Sequence, residues 1–224
     1  MSATMDGRSR IALDPFYLIV DDSDWIERLV PLGVRLVQLR AKDRDARRLR
    51  AEIRRARDVC EAHACQLVIN DHWRLAIEEG CDVVHLGQED LAGADRAAIC
   101  RAGLKLGLST HDQAELATAL AAEPDYVALG PIWPTILKAM NWAPQTPTKL
   151  AAWRAAIGDL PLVAIGGLTV ARIGEAFANG ADSAAVVTDI TRNADPETRT
   201  REWIAATRRW RAGGEPEAAG ADSA

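Results

Sequence analysis

The sequence predicts an α/β protein built as a single (β/α)8 TIM barrel, and three observations carry that expectation. Eight short apolar runs recur down the 224 residues, about one in every twenty, which is the number of strands a closed parallel barrel needs. The segments between them space their apolar residues as helices do. Most runs stop at a polar or glycine cluster, and in such barrels the chemistry sits where the strands end.

In order, the runs are FYLIV ending before Asp21, LVQLR ending at Arg40, LVIN ending at Asn70 and VVHLG ending at Gly87. KLGLS ending at Ser109, YVALG ending at Gly130, LVAIG ending at Gly166 and AAVV ending before Thr188 complete the set. The second helix, about Arg44 to His63, interleaves arginines with alanine, leucine and isoleucine, so it reads as an outer-ring helix with a solvated charged face. The third begins at His72; the fifth begins near His111-Asp112, with Asp112 placed to cap it. The longest connection, Pro131 to Thr148, carries four prolines, and loops of that length inside a domain are usually functional. Trp203 and Trp210, seven apart in the last helix, mark one packing face. The expected organisation is a polar extension over 1–14, one barrel domain over 15–211, and a disordered tail over 212–224 that has little to bury.

Composition excludes several classes. No apolar stretch approaches the roughly twenty residues a membrane helix needs, and MSATMDGRSR has no apolar core of a secretory signal. The net charge of −5 gives no basic surface for a nucleic acid. A cytoplasmic protein with small-molecule substrates is expected; a homo-oligomer is compatible with the sequence, which does not define that state. Cys60, Cys65, Cys81 and Cys100 form no CxxC pair and are expected to be buried or half-buried free thiols.

The strand ends carry the chemistry. Gln38, Arg40 and Lys42 alternate, so they share one face; two cations and an amide there suit an anion such as phosphate. The plainer alternative is a salt-bridge belt. Asn70-Asp71 and Gln88-Glu89-Asp90 put carboxylates on adjacent strand exits. Beside an anion site, Asp71 and Asp90 suggest Mg²⁺, which commonly joins carboxylates to phosphates; helix capping by each aspartate is the alternative. Ser109-Thr110-His111 reads as ligand hydrogen-bonders rather than a nucleophilic triad, because no orienting carboxylate is placed by spacing. His85, inside a strand run, reads as a packed core residue. Gly166-Gly167 lets the backbone approach an anion, and the loops after strands seven and eight are where such barrels commonly hold phosphate. Val187-Thr188 offers N–H groups and a hydroxyl to the same ligand.

Together, QLRAK (38–42), IND (69–71), HLGQED (85–90), GLSTH (107–111), GPIWPTILK (130–138), AIGG (164–167) and VVTDIT (186–191) resemble the thiamine-phosphate synthase family. The likeness runs in order from about Tyr17 to Trp210. It implies a barrel enzyme that joins a hydroxymethylpyrimidine diphosphate to hydroxyethylthiazole phosphate, giving thiamine phosphate and pyrophosphate with Mg²⁺. By resemblance, Gln38, Arg40, Lys42 and Asn70 hold the pyrimidine diphosphate, and Asp71 and Asp90 ligate Mg²⁺. Ser109 and Lys138 contact the pyrimidine or its leaving group; Thr135, Gly167, Val187 and Thr188 hold the thiazole phosphate. Arg40, Lys42 and Lys138 are the catalytic cations. The chain departs from the family pattern at Ala41, where an acidic residue is usual, and at Leu137, where the TxTK motif has its second threonine. Two other readings compete: a thiazole tautomerase of the same superfamily, which needs the phosphate cradle without the metal set, and a non-catalytic barrel binding a phosphorylated metabolite.

Overall fold

The computed structural model describes residues 11–42, 44–135 and 144–213. Eight parallel strands close into a barrel in sequence order: β1 (Phe16–Val20), β2 (Leu36–Leu39), β3 (Gln66–Asn70), β4 (Val83–Leu86), β5 (Lys105–Thr110), β6 (Tyr126–Leu129), β7 (Leu162–Ile165) and β8 (Ser183–Val186). The seam is made by β8 pairing with β1, Tyr17 opposite Ala185. The eight apolar runs are these eight strands. Both faces of each strand are buried, so the runs are continuous rather than alternating.

The alternation separates two cores. One face packs outward under the helices, where Leu18, Val37 and Val84 are fully buried; each such side chain contributes about 1.5–3 kcal/mol. The other face fills the barrel with Tyr17, Ile19, Leu36, Val68, Val83, Tyr126 and Val163. Ile11 and Leu13, ahead of β1, belong to this interior cluster.

The helices are α1 (Ser23–Leu29), α2 (Ala46–Ala62), α3 (Trp73–Glu78), α4 (Gln88–Ala92), α5 (Arg96–Arg101), α6 (Gln113–Ala121), α7 (Pro147–Ile157), α8 (Ile173–Ala178), α9 (Thr188–Thr191) and α10 (Pro196–Arg211). α2 buries Leu49, Ile53, Ala56 and Cys60 at helical spacing, while its arginines face outward; Arg50 and Arg54 both pair with Glu79. Hydrogen bonds from Arg54, and then from Arg50, hold the Glu79 carboxyl below its usual range. Asp112 caps α6 by accepting from the Glu115 N–H at 2.9 Å, as its position predicts. The fourth unit departs from expectation, since it carries two short helices, α4 and α5, separated at Gly93.

α10 packs across the seam. Trp203 is fully buried and stacks on Phe16 at 5.6 Å, and Trp210 meets Phe177 at 5.7 Å, so the two tryptophans do share one packing face. Cys60, Cys65 and Cys81 are buried free thiols; Cys100 is exposed, against expectation, because it lies on the outward side of short α5. No helix among the described residues is long and apolar enough to cross a membrane.

Candidate active site

The carboxyl ends of β2, β3 and β4 bring Arg40, Asp71 and Asp90 together. Asp71 follows β3 with a left-handed backbone, φ +62°, a conformation costing of order 1 kcal/mol or more for a residue with a side chain. Its N–H is held by the His85 carbonyl at 2.9 Å. The half-buried Asp71 carboxyl lies beside that of Asp90 and feels Lys42 and Arg40 as well. Burial raises its pKa first, the adjacent Asp90 carboxyl adds to the rise, and the two cations oppose it. Two acids sharing a site cannot both ionise cheaply without a cation between them.

The capping alternative fails for both aspartates. The N-cap of α3 is His72, without a side-chain cap bond, and the N-cap of α4 is Gly87, with Asp90 inside the first turn. The donor set fits Mg²⁺: two carboxylates, with the remaining positions left to water and phosphate oxygens. No cluster of three or more metal-binding side chains occurs among the described residues, so phosphate oxygens would have to complete such a site.

Gln38, Arg40 and Lys42 do not form the salt-bridge belt. None of the ion pairs found among the described residues includes Arg40 or Lys42. Lys42 is exposed and Arg40 half-buried. Ala41 is 2 % exposed, and its carbonyl meets His72 Nε2 at 3.3 Å. That contact ties the β2 exit to the β3 exit where the family's usual acid is absent.

The third strand-end group divides. Thr110 is buried, donating to the Ala128 carbonyl and accepting from Trp153 Nε1, both at 2.9 Å. His111 Nδ1 pairs with Glu115 at 2.7 Å, completing the start of α6. Ser109 is half-buried at the mouth, bonded to His85 Nε2 at 2.8 Å. The second ring nitrogen of His85 meets the Tyr126 hydroxyl at 2.9 Å, where a hydrolytic triad would place a carboxylate. Burial, followed by the charge of Arg40, holds the His85 pKa down to about 4, so the ring is neutral at pH 7.

In the sequence Tyr17 and Tyr126 are only members of apolar runs. Inside the barrel they bond each other at 3.1 Å, and Gln38 Nε2 donates to Tyr17 at 2.7 Å. The available signal is hydrogen-bonding side chains at inward positions of five strands, since buried polar groups must find partners. Gly107 makes room for this arrangement: a Cβ there would lie 2.0 Å from the Tyr126 ring.

Across the mouth, the ends of β6, β7 and β8 offer backbone rather than charge. Gly166 and Gly167 have φ +93° and +65°, and Cβ atoms there would meet Pro131 at 2.6 Å and Pro134 O at 2.5 Å. The double glycine is thus demanded by the close approach of the β6–α7 connection. That connection is pinned at its base. Ile132 N and Trp133 N donate to Ile165 and Gly166, and Gln145 N and Thr146 N donate to Pro131 and Ile132. Thr135 and Gly167 therefore sit on neighbouring loops, and Val187-Thr188 opens α9 after β8. Asp189 anchors α9 by accepting hydrogen bonds from Arg199 Nε and Nη2, both at 2.9 Å, and from Trp203 Nε1 at 2.7 Å. Lys138 and Leu137 lie outside the described residues, as does the middle of the Pro131 to Thr148 connection.

The sequence model described as thiamine monophosphate synthase matches residues 16–190. The chain is 71 % identical over 202 residues to a thiamine-phosphate synthase of Rhizobium etli, covering 90 % of this chain and 99 % of that protein. It is 48 % identical over 182 residues to a thiamine-phosphate synthase of Neisseria meningitidis, covering 81 % and 89 %. In fold it is similar to the thiamine phosphate pyrophosphorylase of Pyrococcus furiosus, with a TM-score of 0.78 at 22 % identity, over 88 % of this chain and 96 % of that one.

Proposed function

The chain belongs to the thiamine monophosphate synthase family and is a transferase that forms thiamine phosphate, and we propose that it does so by magnesium-assisted departure of pyrophosphate from a hydroxymethylpyrimidine diphosphate. The observation that carries this reading is the Asp71–Asp90 pair held beside Arg40 and Lys42. A carboxylate pair that repels itself in isolation is suited to a divalent cation, and the flanking cations are suited to the diphosphate that such a cation brings.

Asp71 and Asp90 would hold Mg²⁺, which supplies Lewis-acid charge to the diphosphate oxygens when bound. Arg40 and Lys42, with Lys138 by resemblance, neutralise charge developing on the leaving pyrophosphate. Gln38, Asn70 and Ser109 hold the pyrimidine end. As the C–O bond to pyrophosphate breaks, the electron-rich aminopyrimidine carries the cation, and the thiazole nitrogen donates its lone pair to form the new C–N bond. Thr135, Gly167, Val187 and Thr188 hold the thiazole phosphate, fixing the nucleophile close to the cation. No protein nucleophile is needed, in keeping with Ser109 having a neutral histidine backed by a phenol.

The direct test mixes purified protein with both substrates and Mg²⁺ and follows pyrophosphate release. Release that requires the pair of substrates and the metal supports the reading. Tautomerisation of a carboxythiazole phosphate without that release would replace it with the tautomerase reading.

A further inference from the structure

A continuous hydrogen-bonded chain crosses the barrel interior: Gln38 Nε2 to Tyr17 Oη at 2.7 Å, Tyr17 Oη to Tyr126 Oη at 3.1 Å, Tyr126 Oη to His85 Nδ1 at 2.9 Å, and His85 Nε2 to Ser109 Oγ at 2.8 Å. Its two ends are residues assigned above to the pyrimidine; its three middle members belong to no part of the mechanism. Tyr17, Tyr126 and His85 are all buried, at 1 %, 0 % and 7 % exposure.

Each link has one proton, so direction propagates. Gln38 donates to Tyr17, so the Tyr17 proton goes to Tyr126 and the Tyr126 proton goes to His85 Nδ1. A neutral imidazole then carries its proton on Nε2 and donates it to Ser109. The Ser109 hydroxyl proton is thereby left for a ligand acceptor. The opposite direction would drive the Tyr17 proton against the Gln38 N–H, donor against donor, unless the Gln38 amide also turned over. Turning it would exchange the carbonyl and N–H that Gln38 offers outside the chain. Neither end can change without the other.

We propose that Tyr17, Tyr126 and His85 are positioning residues which jointly fix the donor and acceptor pattern that Gln38 and Ser109 present to the substrate ring. The inference rests on the reading of Gln38 and Ser109 as pyrimidine-binding residues. An aminopyrimidine offers an amine donor beside a ring-nitrogen acceptor, complementary to one face of a primary amide. A 4-oxo ring offers the reverse pattern and matches the amide only when it is turned over. Rejecting a ring with reversed polarity leaves site groups unpaired, which is the strong form of discrimination.

The experiment is calorimetric titration, with Mg²⁺, of 4-amino-2-methyl-5-hydroxymethylpyrimidine diphosphate, its 4-oxo analogue and pyrophosphate alone. These are titrated into wild type, Tyr126→Phe and Tyr17→Phe. Phenylalanine keeps the ring packing and cuts the chain at different links, and melting temperatures establish that each variant is folded. Wild type is expected to prefer the amino ring by about tenfold or more, the scale of one mismatched hydrogen bond. Both variants should lose most of that preference while binding pyrophosphate as wild type does. Variants that keep the wild-type preference and differ only in melting temperature would overturn the inference alone, as would a wild type without preference. Absence of binding of every diphosphate to wild type would overturn the reading of the site as well.

Discussion

The two sides of the barrel mouth solve the same problem with opposite means. At β2–β4 the site is built from side-chain charge, with Asp71 and Asp90 crowded together near Arg40 and Lys42. At β6–β8 it is built from backbone, through paired left-handed glycines and the first turn of α9. Charge is adjustable and strong but costs folding energy until its ligand arrives. Backbone is cheap to hold but tolerates no added atom. The proposed chemistry matches this division: a leaving group that changes charge during reaction would need the first kind, whereas a distant phosphate handle would need only to be held.

The sharpest way to break this contrast is Asp71→Asn with Asp90→Asn. Activity and its Mg²⁺ dependence should both vanish in a pyrophosphate-release assay. The melting temperature of the metal-free protein at pH 7 should nonetheless rise. The sign follows from the raised Asp71 pKa, because the ionised form present at pH 7 costs the folded state and Asn removes that cost. Adding Mg²⁺ and pyrophosphate should then reverse the order, stabilising wild type alone. An unchanged metal titration would refute the assignment.

Arg40→Ala comes next. Loss of one group that stabilises developing charge typically costs about 10²–10³-fold in turnover; kcat should fall on that scale with melting temperature little changed. On the opposite side, Gly167→Ala should raise KM for the thiazole phosphate and leave that for the pyrimidine diphosphate near wild type. It should also lower stability, since its Cβ would sit 2.5 Å from Pro134 O at φ +65°. The last test is the effect of pH on His85. Its folded pKa of about 4 lies below the ordinary 6.5, so the unfolded chain takes up a proton that the folded ring refuses. Stability held above pH 6.5 should decline below it by about 1.4 kcal/mol per pH unit, and denaturant melts of His85→Gln should lack that component of the decline.

The strands were legible because a parallel strand buried on both faces must be apolar throughout, and FYLIV and YVALG are. The strand-end residues were legible because polar groups stopping such runs have few other reasons to be there. The chain through Tyr17 and Tyr126 was not, because a tyrosine inside an apolar run gives no sign of where its hydroxyl points. That depends on which strands face each other across the closed barrel. The split of α4 from α5 was hidden because helices of five and six residues span too few turns to show a period. Gly166-Gly167 illustrates a third case. Its sequence suggested an anion cradle, and the structure adds that the neighbouring loop could not pass without it.

Asp189 takes its partners from Arg199 and Trp203 of α10, and Trp203 in turn stacks on Phe16 of the first strand. A ribosome releasing this chain from its amino end therefore exposes all eight strands before α9 has its brace. Any nascent polypeptide shorter than about Trp203 lacks the brace of α9, and the newborn protein secures the turn after its eighth strand only once Arg199 and Trp203 have come clear of the exit tunnel.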